Sequence, residues 1–256
     1  MKNWNFTSET KIVFDITLRQ IQATASFGFV TKGDLGGWIE KEENLSGNAW
    51  VSGNAWVSGN ALVSGNAWVY GNAQVYGNAQ VSGNAWVYGN AQVYGNAQVY
   101  GNTLVYGNAL VYGNALVSGN ALVSGNAWVS GNALVSGNAW VSGNAWVYGN
   151  AWVYGNAQVY GNAWVSGNAL VSGNALVSGD KDFLLVGPLG SRKSFLSVYA
   201  DSKINLRFTT GCFTGSRKEF KEQVEKTHGS NIYGQQYRAA IALAKLVVKP
   251  YGESNV

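Results

Sequence analysis

The chain has 256 residues, of which 34 are glycine, 11 tryptophan and 14 tyrosine, and only 12% are charged. Residues 46–179 contain no Asp, Glu, Lys, Arg or His, which excludes acid–base catalysis near neutral pH from that segment. The single cysteine, Cys212, excludes an internal disulfide and is typical of a reducing compartment. Without a signal peptide or an apolar run of about 18 residues, we expect a cytoplasmic protein with no membrane span.

Residues 1–44 predict a small N-terminal β cap. Residues 11–21 read as a strand, because they combine β-branched and apolar side chains. Residues 33–39 are rich in glycine and lead into the charged segment 40–43. These glycines do not have the spacing of a phosphate-binding loop, so we interpret them as a turn that feeds the first coil of the next segment.

Residues 45–179 form a tandem repeat of six residues. Val recurs every sixth position from Val51 to Val177, and Leu45 extends the register, which gives 23 successive positions. Each unit reads Val-(Ser/Tyr)-Gly-Asn-Ala-(Trp/Leu/Gln), and Thr103 is the single exception in the alanine position. Ala-X-Val-(Ser/Tyr) alternates as a strand does, and Gly-Asn tolerates the positive φ of a corner. Strand and corner in constant succession predict a solenoid with Ala and Val inside.

The unit resembles the hexapeptide-repeat family, which has an aliphatic residue at the first position and a small one at the fifth, as in Val51 and Ala55. The resemblance implies a mainly β fold, a left-handed parallel β-helix with three hexapeptides, about 18 residues, per coil. The variable residues themselves show no preference for one, two or three units per coil. At about 4.8 Å per coil, the units would form a rod on the order of 35 Å long.

The alternation places the repeat's tryptophans and tyrosines outside. Identical units leave the register weakly specified and the ends open, so the flanking segments must act as caps. The aromatic columns either stiffen the sheets or form a contact surface for another protein, a second copy of the chain or a flat glycan face. With 18 residues per coil, two tryptophan triplets stack and are the candidate contact residues: Trp50, Trp68 and Trp86, and Trp128, Trp146 and Trp164.

Residues 180–256 carry 12 basic and 7 acidic residues and predict a small α+β domain. Three short strands are expected at residues 183–186, 195–199 and 204–208. A first helix begins after Ser216, where Glu219 completes a capping box, and it ends near His228. A second helix is expected over about residues 232–248, with an apolar face of Ala240, Leu243, Ala244 and Val247.

The two flanks resemble a group of phage and prophage proteins described only as hexapeptide-repeat proteins. The resembling segments are KGDLGGWIE at residues 32–40 and ENLS at 43–46, then GPLGSR at 187–192, GCFTG at 211–215, EF at 219–220 and THG at 227–229. Together with the repeats they cover nearly the whole chain. The resemblance implies a β cap at 1–44, a solenoid at 45–179, an α+β domain at 180–256 and an origin in a mobile element, but no established activity.

Enzymatic activity is disfavoured. Many hexapeptide-repeat enzymes are acyltransferases whose histidine base lies near a loop that interrupts the coils, and residues 46–179 offer neither feature. We expect His228 to be a helix-terminal cation and Cys212 to be a small buried residue. One histidine and one cysteine cannot form a metal cluster, so we expect no catalytic residue, no metal and no cofactor.

The basic C-terminal region holds a candidate anion-binding site. Ser191, Arg192 and Lys193 lie in a donor-rich turn, and Arg217 and Lys218 open a helix, where anions bind readily. A solvated basic face is the alternative interpretation.

Two functions remain open. The first is a non-enzymatic scaffold or binding protein of phage or prophage origin, which presents the solenoid and the C-terminal domain to an unidentified protein partner or to a copy of itself. The second is a nucleotide-binding, anion-binding or small catalytic C-terminal domain that the solenoid spaces or multimerises.

Overall fold

A computed structural model describes residues 2–250 of the chain. The N-terminal cap consists of β1 (Trp4–Val13), β2 (Ile16–Ala23), β3 (Leu35–Ile39) and a short 3-10 turn at Glu42–Asn44. The three strands pair in order and antiparallel. The single strand predicted over residues 11–21 is wrong, because Phe14 and Asp15 both have positive φ and form a turn between β1 and β2.

The repeat folds into a three-sided parallel solenoid of 22 two-residue strands, β4 to β25. The first face continues β3 and contains β5 (Trp56–Val57), β8 (Gln74–Val75), β11 (Gln92–Val93), β14 (Leu110–Val111), β17 (Trp128–Val129), β20 (Trp146–Val147) and β23 (Trp164–Val165). The second face contains β4 (Trp50–Val51), β7 (Trp68–Val69), β10 (Trp86–Val87), β13 (Leu104–Val105), β16 (Leu122–Val123), β19 (Trp140–Val141), β22 (Gln158–Val159) and β25 (Leu176–Val177). The third face contains β6 (Leu62–Val63), β9 (Gln80–Val81), β12 (Gln98–Val99), β15 (Leu116–Val117), β18 (Leu134–Val135), β21 (Trp152–Val153) and β24 (Leu170–Val171).

The register confirms 18 residues per coil. Strand residues lie opposite the residues 18 positions further on, as Trp86 does to Leu104 and Val87 to Val105. The repeat Ala and Val side chains are buried in the core. From Asn48 to Asn150, each corner asparagine donates its Nδ2 to the Oδ1 of the asparagine 18 residues on, at 2.9–3.4 Å. The left hand of the coil stays a prediction of the resemblance.

Glycine at the corners is required by both conformation and space. Gly113 has a φ of +71°, and a Cβ there would lie 3.0 Å from the backbone nitrogen of Gly131 in the next coil. Thr103, the exception in the alanine column, places its Oγ1 in the core, where it has no hydrogen-bond partner among residues 2–250. Its hydroxyl therefore departs from the rule that buried polar groups are paired.

The solenoid has a direction, because the N–H groups of the Trp/Leu/Gln, Ser/Tyr and Asn positions donate to carbonyls of the next coil, as Trp50 N does to Ala67 O. The first coil therefore presents carbonyls toward the N-terminal cap. The cap supplies donors: Trp38 N donates to Ala55 O, and the buried Asn44 donates Nδ2 to Ala61 O at 2.8 Å. These bonds satisfy an edge that would otherwise be open.

The last coil presents N–H groups for which the C-terminal region supplies acceptors, and one carbonyl, Asn174 O, which accepts from Ser202 N. Ser197 Oγ accepts from Leu170 N at 2.9 Å, and Asp182 Oδ2 accepts from Ser178 N at 2.9 Å. The two caps are therefore chemically complementary to the two ends.

The C-terminal domain is an antiparallel sheet with two helices. Its elements are β26 (Phe183–Leu189), β27 (Ser194–Asp201), β28 (Asn205–Thr210), β29 (Phe213–Ser216), α1 (Arg217–His228) and α2 (Ile232–Val247), preceded by a 3-10 turn at Asp180–Asp182. The strands pair in chain order. The prediction of three strands missed β29. The predicted capping box of α1 is confirmed, since Ser216 Oγ accepts from Glu219 N.

The predicted apolar face of α2 is partly wrong. Leu243 is exposed, and Ile241 is buried in its place. The packed residues Tyr237, Ala240, Ile241 and Ala244 are spaced three and four apart, which turns Leu243 toward solvent. No helix within the described part of the chain is long and apolar enough to cross a membrane.

Candidate functional site

The first face of the solenoid carries an aromatic ladder over its whole length. Tyr94 stacks on Tyr76 and Tyr112 with centroids 4.9 and 5.0 Å apart. Trp146 stacks on Trp128 and Trp164 at 4.6 and 5.1 Å. The complete ladder consists of Trp56, Tyr76, Tyr94, Tyr112, Trp128, Trp146 and Trp164.

The stacked rings cover one another's faces. Within the Tyr76 to Tyr112 column the planes differ by no more than 3°, so solvent meets mainly ring edges. A glycan that packs on ring faces would find them covered inside these columns. Burial raises the pKa of Tyr94 above the usual value of 10.0, and the charges of ionised Tyr76 and Tyr112 would raise it further.

The second face has a shorter ladder at the Tyr70, Tyr88 and Tyr106 column, with centroids 4.8 and 4.9 Å apart. Trp68 and Trp86 stack beside it at 6.1 Å. Burial raises the pKa of Tyr70 and Tyr88.

The predicted tryptophan triplets lie in register one coil apart, but the prediction that Trp50 is a contact residue is wrong. Trp50 lies opposite Trp68 and is only 3% exposed, because Phe27 of the N-terminal cap covers it with an edge-on contact at 5.7 Å. Solvent reaches the tryptophans of the C-terminal half more freely. The most exposed repeat tryptophans lie on three different faces and are Trp140 (50%), Trp152 (51%) and Trp164 (55%).

The C-terminal domain is attached to the last coil through a buried hydroxyl network. Tyr199 Oη accepts from Ser172 N at 3.0 Å and lies 3.0 Å from both Ser172 Oγ and Thr209 Oγ1. Burial raises the pKa of Tyr199, so its hydroxyl remains protonated. Beside it, Asp201 accepts from Arg207 Nε at 2.7 Å. Burial alone would raise the pKa of Asp201, but the guanidinium and two backbone N–H groups hold it below its usual value.

A cleft of about 320 Å³ lies at one end of the C-terminal sheet, which we call the hairpin-end cleft. Two turns meet there, residues 190–193 between β26 and β27 and residues 211–212 between β28 and β29. The C-terminal part of α1 and Tyr237 of α2 close it. Its thirteen lining residues are Ser191, Arg192, Ser194, Thr210, Gly211, Cys212, Phe213, Phe220, Gln223, Val224, Thr227, His228 and Tyr237.

The five predicted anion-site residues do not form one site. Ser191 and Arg192 line the hairpin-end cleft, whereas Arg217 and Lys218 line a second cleft of about 590 Å³ with Ile204. The register explains the separation. Ser216 pairs with Arg207, toward the sheet end where Ser202 donates to Asn174 O of the solenoid, whereas residues 190–193 turn at the opposite end. Lys193 is exposed in that turn with positive φ and lines neither of these two clefts.

The hairpin-end cleft also brings together Cys212 and His228, which had no predicted link. The prediction that Cys212 is buried is wrong, since the thiol is exposed in the turn between β28 and β29. His228 ends α1, as predicted, and its ring stacks on Tyr237 with centroids 5.6 Å apart. Because these residues come from separate turns and a helix end, their spacing in the sequence gave no signal of a common site.

The described residues 2–250 contain no group of three His, Cys, Asp or Glu side chains that could hold a metal ion. Acid–base chemistry near neutral pH is limited to the flanks of the solenoid. The hairpin-end cleft instead offers hydroxyl, thiol, imidazole and guanidinium groups above an aromatic floor, which suits ligand binding.

The fold defines the chain as a parallel β-solenoid repeat protein. The profile of the YdcK beta solenoid repeat matches ten segments, each about one coil long: residues 55–71, 73–89, 79–95, 91–107, 97–113, 105–118, 115–131, 127–143, 141–155 and 157–173. All ten lie within the solenoid, so the match concerns the repeat and not the caps. No curated protein matches the chain.

Proposed function

We propose that the chain is a non-enzymatic scaffold that presents its solenoid faces and C-terminal domain to a protein partner or to a second copy. The observation that carries the proposal is the attachment of the C-terminal domain to the last coil. Ser197 and Tyr199 accept hydrogen bonds from Leu170 and Ser172, so the orientation of the domain relative to the aromatic faces is fixed.

The composition of the solenoid supports a presenting rather than a catalytic role. Its outer surface combines aromatic rings with an uncharged Asn ladder, and its ionisable groups are tyrosines whose pKa values, where shifted, are raised. Acyl transfer on these coils would lack a base. The phage or prophage origin rests on the resemblance of the flanks, and the cytoplasmic location on the lone cysteine; both belong to the proposal.

The test is recovery of a partner with the intact chain. Light scattering would reveal self-association, and cross-linking before purification would identify another protein and the residues it touches. We expect a stoichiometric partner that is lost when Trp140, Trp152 and Trp164 are replaced together by Ser. Ile12→Ser, at an exposed apolar residue of the N-terminal cap, is the control and should retain the partner. A chain that is monomeric and recovers no stoichiometric partner would contradict the scaffold proposal.

A second candidate function is ligand binding by the C-terminal domain, with the solenoid as a spacer. The hairpin-end cleft favours it, because Arg192, Cys212 and His228 share one concave site. Its test is a thermal-shift screen of the intact chain against anions. If no anion shifts the melting temperature, only the scaffold proposal remains.

A further inference from the structure

The hairpin-end cleft has a fixed aromatic floor. Phe220 lines it and lies 5.1 Å from Phe213 and 5.6 Å edge-on from Tyr237, measured between ring centroids. Phe220 and Tyr237 belong to the core of the domain and are buried. A flat apolar ligand group would therefore meet mainly the half-buried ring of Phe213, which packing against the buried Phe220 already holds in place.

The turn that carries Arg192 is anchored on α2. Gly190 N donates to Gln236 Oε1 at 3.0 Å. Gly190 has a φ of +70°, and a Cβ there would lie 2.9 Å from the Tyr237 ring carbons. Only glycine permits this approach, so the turn rests directly on the aromatic floor and holds Ser191 and Arg192 at the mouth of the cleft.

The polar lining is made of hydrogen-bond donors without a carboxylate. The thirteen lining residues include no Asp or Glu, and Arg192 has no ion pair or hydrogen bond to any other residue between 2 and 250. Thr227 Oγ1 accepts from Gln223 Nε2 at 3.0 Å, which leaves the Thr227 hydroxyl proton free to donate. The hydroxyl groups that line the cleft outside the aromatic floor belong to Ser191, Ser194, Thr210 and Thr227.

Thr210 lines the same cleft, and its side-chain hydroxyl lacks a partner within residues 2–250. Its Oγ1 is shielded from solvent and has no hydrogen-bond partner among the described residues. A buried hydroxyl without a partner is unfavourable, and rotation of the Thr210 side chain toward the cleft would let a ligand complete its bonding. Thr210 lies in the same cleft as the unpaired guanidinium.

We propose that the hairpin-end cleft binds a small organic phosphate monoester, with its phosphate on Arg192 and the hydroxyls and its flat apolar body on the aromatic floor. A phosphate monoester presents three terminal oxygens, which use more of the converging donors than a carboxylate would. The volume suits a ligand with one ring. The proposal rests on the second candidate function and gives it a ligand class.

Phenyl phosphate is the probe. Its binding to the intact chain can be measured by calorimetry at fixed ionic strength, together with the rate at which iodoacetamide alkylates Cys212, the only thiol. We expect phenyl phosphate to bind more tightly than inorganic phosphate or benzoate and to slow alkylation of Cys212. Arg192→Ala should weaken binding at least tenfold, the loss expected for a charge-assisted hydrogen bond.

Two further variants control the assignment. Arg217→Ala removes an equal charge from the other cleft and should leave the affinity unchanged. Thr210→Val keeps the shape of the side chain, so the free protein should be at least as stable while the affinity for phenyl phosphate falls.

Equal effects of Arg192→Ala and Arg217→Ala would overturn the proposal in favour of a diffuse basic surface. Equal affinity for inorganic phosphate and phenyl phosphate would overturn the aromatic part of the ligand class. No binding would overturn the site while leaving the scaffold proposal intact, because recovery of a partner tests that separately.

Discussion

Tyr199→Phe removes one hydroxyl from the junction between the solenoid and the C-terminal domain. Tyr199 is fully buried, and its Oη accepts from the buried Ser172 N at 3.0 Å. Phenylalanine fills the same space but leaves that N–H without its acceptor, which costs about 1–3 kcal/mol. Thr209 is less affected, because its Oγ1 also lies 3.1 Å from Thr214 Oγ1. We therefore expect the free energy of unfolding of the junction to fall by about 1–3 kcal/mol.

Urea unfolding followed by tryptophan fluorescence measures the global effect, and hydrogen exchange at the Ser172 amide measures the local one. The exchange of this amide should accelerate by roughly 5- to 150-fold, which corresponds to the same free energy. Tyr148→Phe is the matched control, since Tyr148 is exposed and should change stability by less than about 0.5 kcal/mol. Unchanged exchange at Ser172 in the Tyr199 variant would refute the claim that this hydroxyl fixes the domain.

Thr103→Val should raise the free energy of unfolding by about 1–3 kcal/mol, because it removes a buried unpaired hydroxyl without changing the side-chain volume. Ala133→Thr, which adds such a hydroxyl, should lower the free energy of unfolding. Urea midpoints that move in the opposite directions would show that the Thr103 hydroxyl has a partner. The raised tyrosine pKa values mean that the folded ladders favour neutral phenols, so stability is full below about pH 10 and is lost as pH rises through the higher folded pKa values. The tyrosines with a raised pKa are Tyr70, Tyr76, Tyr88 and Tyr94. Absorbance at about 295 nm during a pH titration follows their ionisation. Titration midpoints at or below those of the unfolded chain would contradict the prediction. The isolated fragment 46–179 should associate end to end, because one end presents carbonyls and the other N–H groups, whereas a monodisperse fragment in light scattering would contradict the role of the caps.

The repeat made most of the fold predictable. Regular Val and Ala with Gly-Asn corners require a strand-and-corner solenoid, whereas the coil period came only from a family resemblance, because any outer residue fits any position. The turn at Phe14 and Asp15 was missed, since neither residue is glycine and both nevertheless adopt positive φ. Strand β29 was missed because Gly211 precedes it and Gly215 lies within it, so the short segment reads as a loop.

The candidate site was much less predictable. Sheet register places Arg192 and Cys212 at one end of the C-terminal sheet and Arg217 toward the other, which no linear spacing encodes. Cys212 and His228 each looked isolated in the sequence, and only the return of α1 along the sheet brings them into one cleft. Phe27 likewise covers Trp50 through a tertiary contact that the local sequence around either residue does not predict.

The central claim, that a rigid solenoid sets the position of the C-terminal domain, is tested most directly by one distance. Spin labels on the native Cys212 and on Ala25→Cys, an exposed position in the N-terminal cap, would report the separation of the two ends in the intact chain. We predict a narrow distance distribution that shortens by up to about 5 Å, one strand spacing, when the 18 residues 119–136 are deleted. A broad distribution, or a distance that does not change when a whole coil is deleted, would contradict the claim that a rigid solenoid sets the position of the domain.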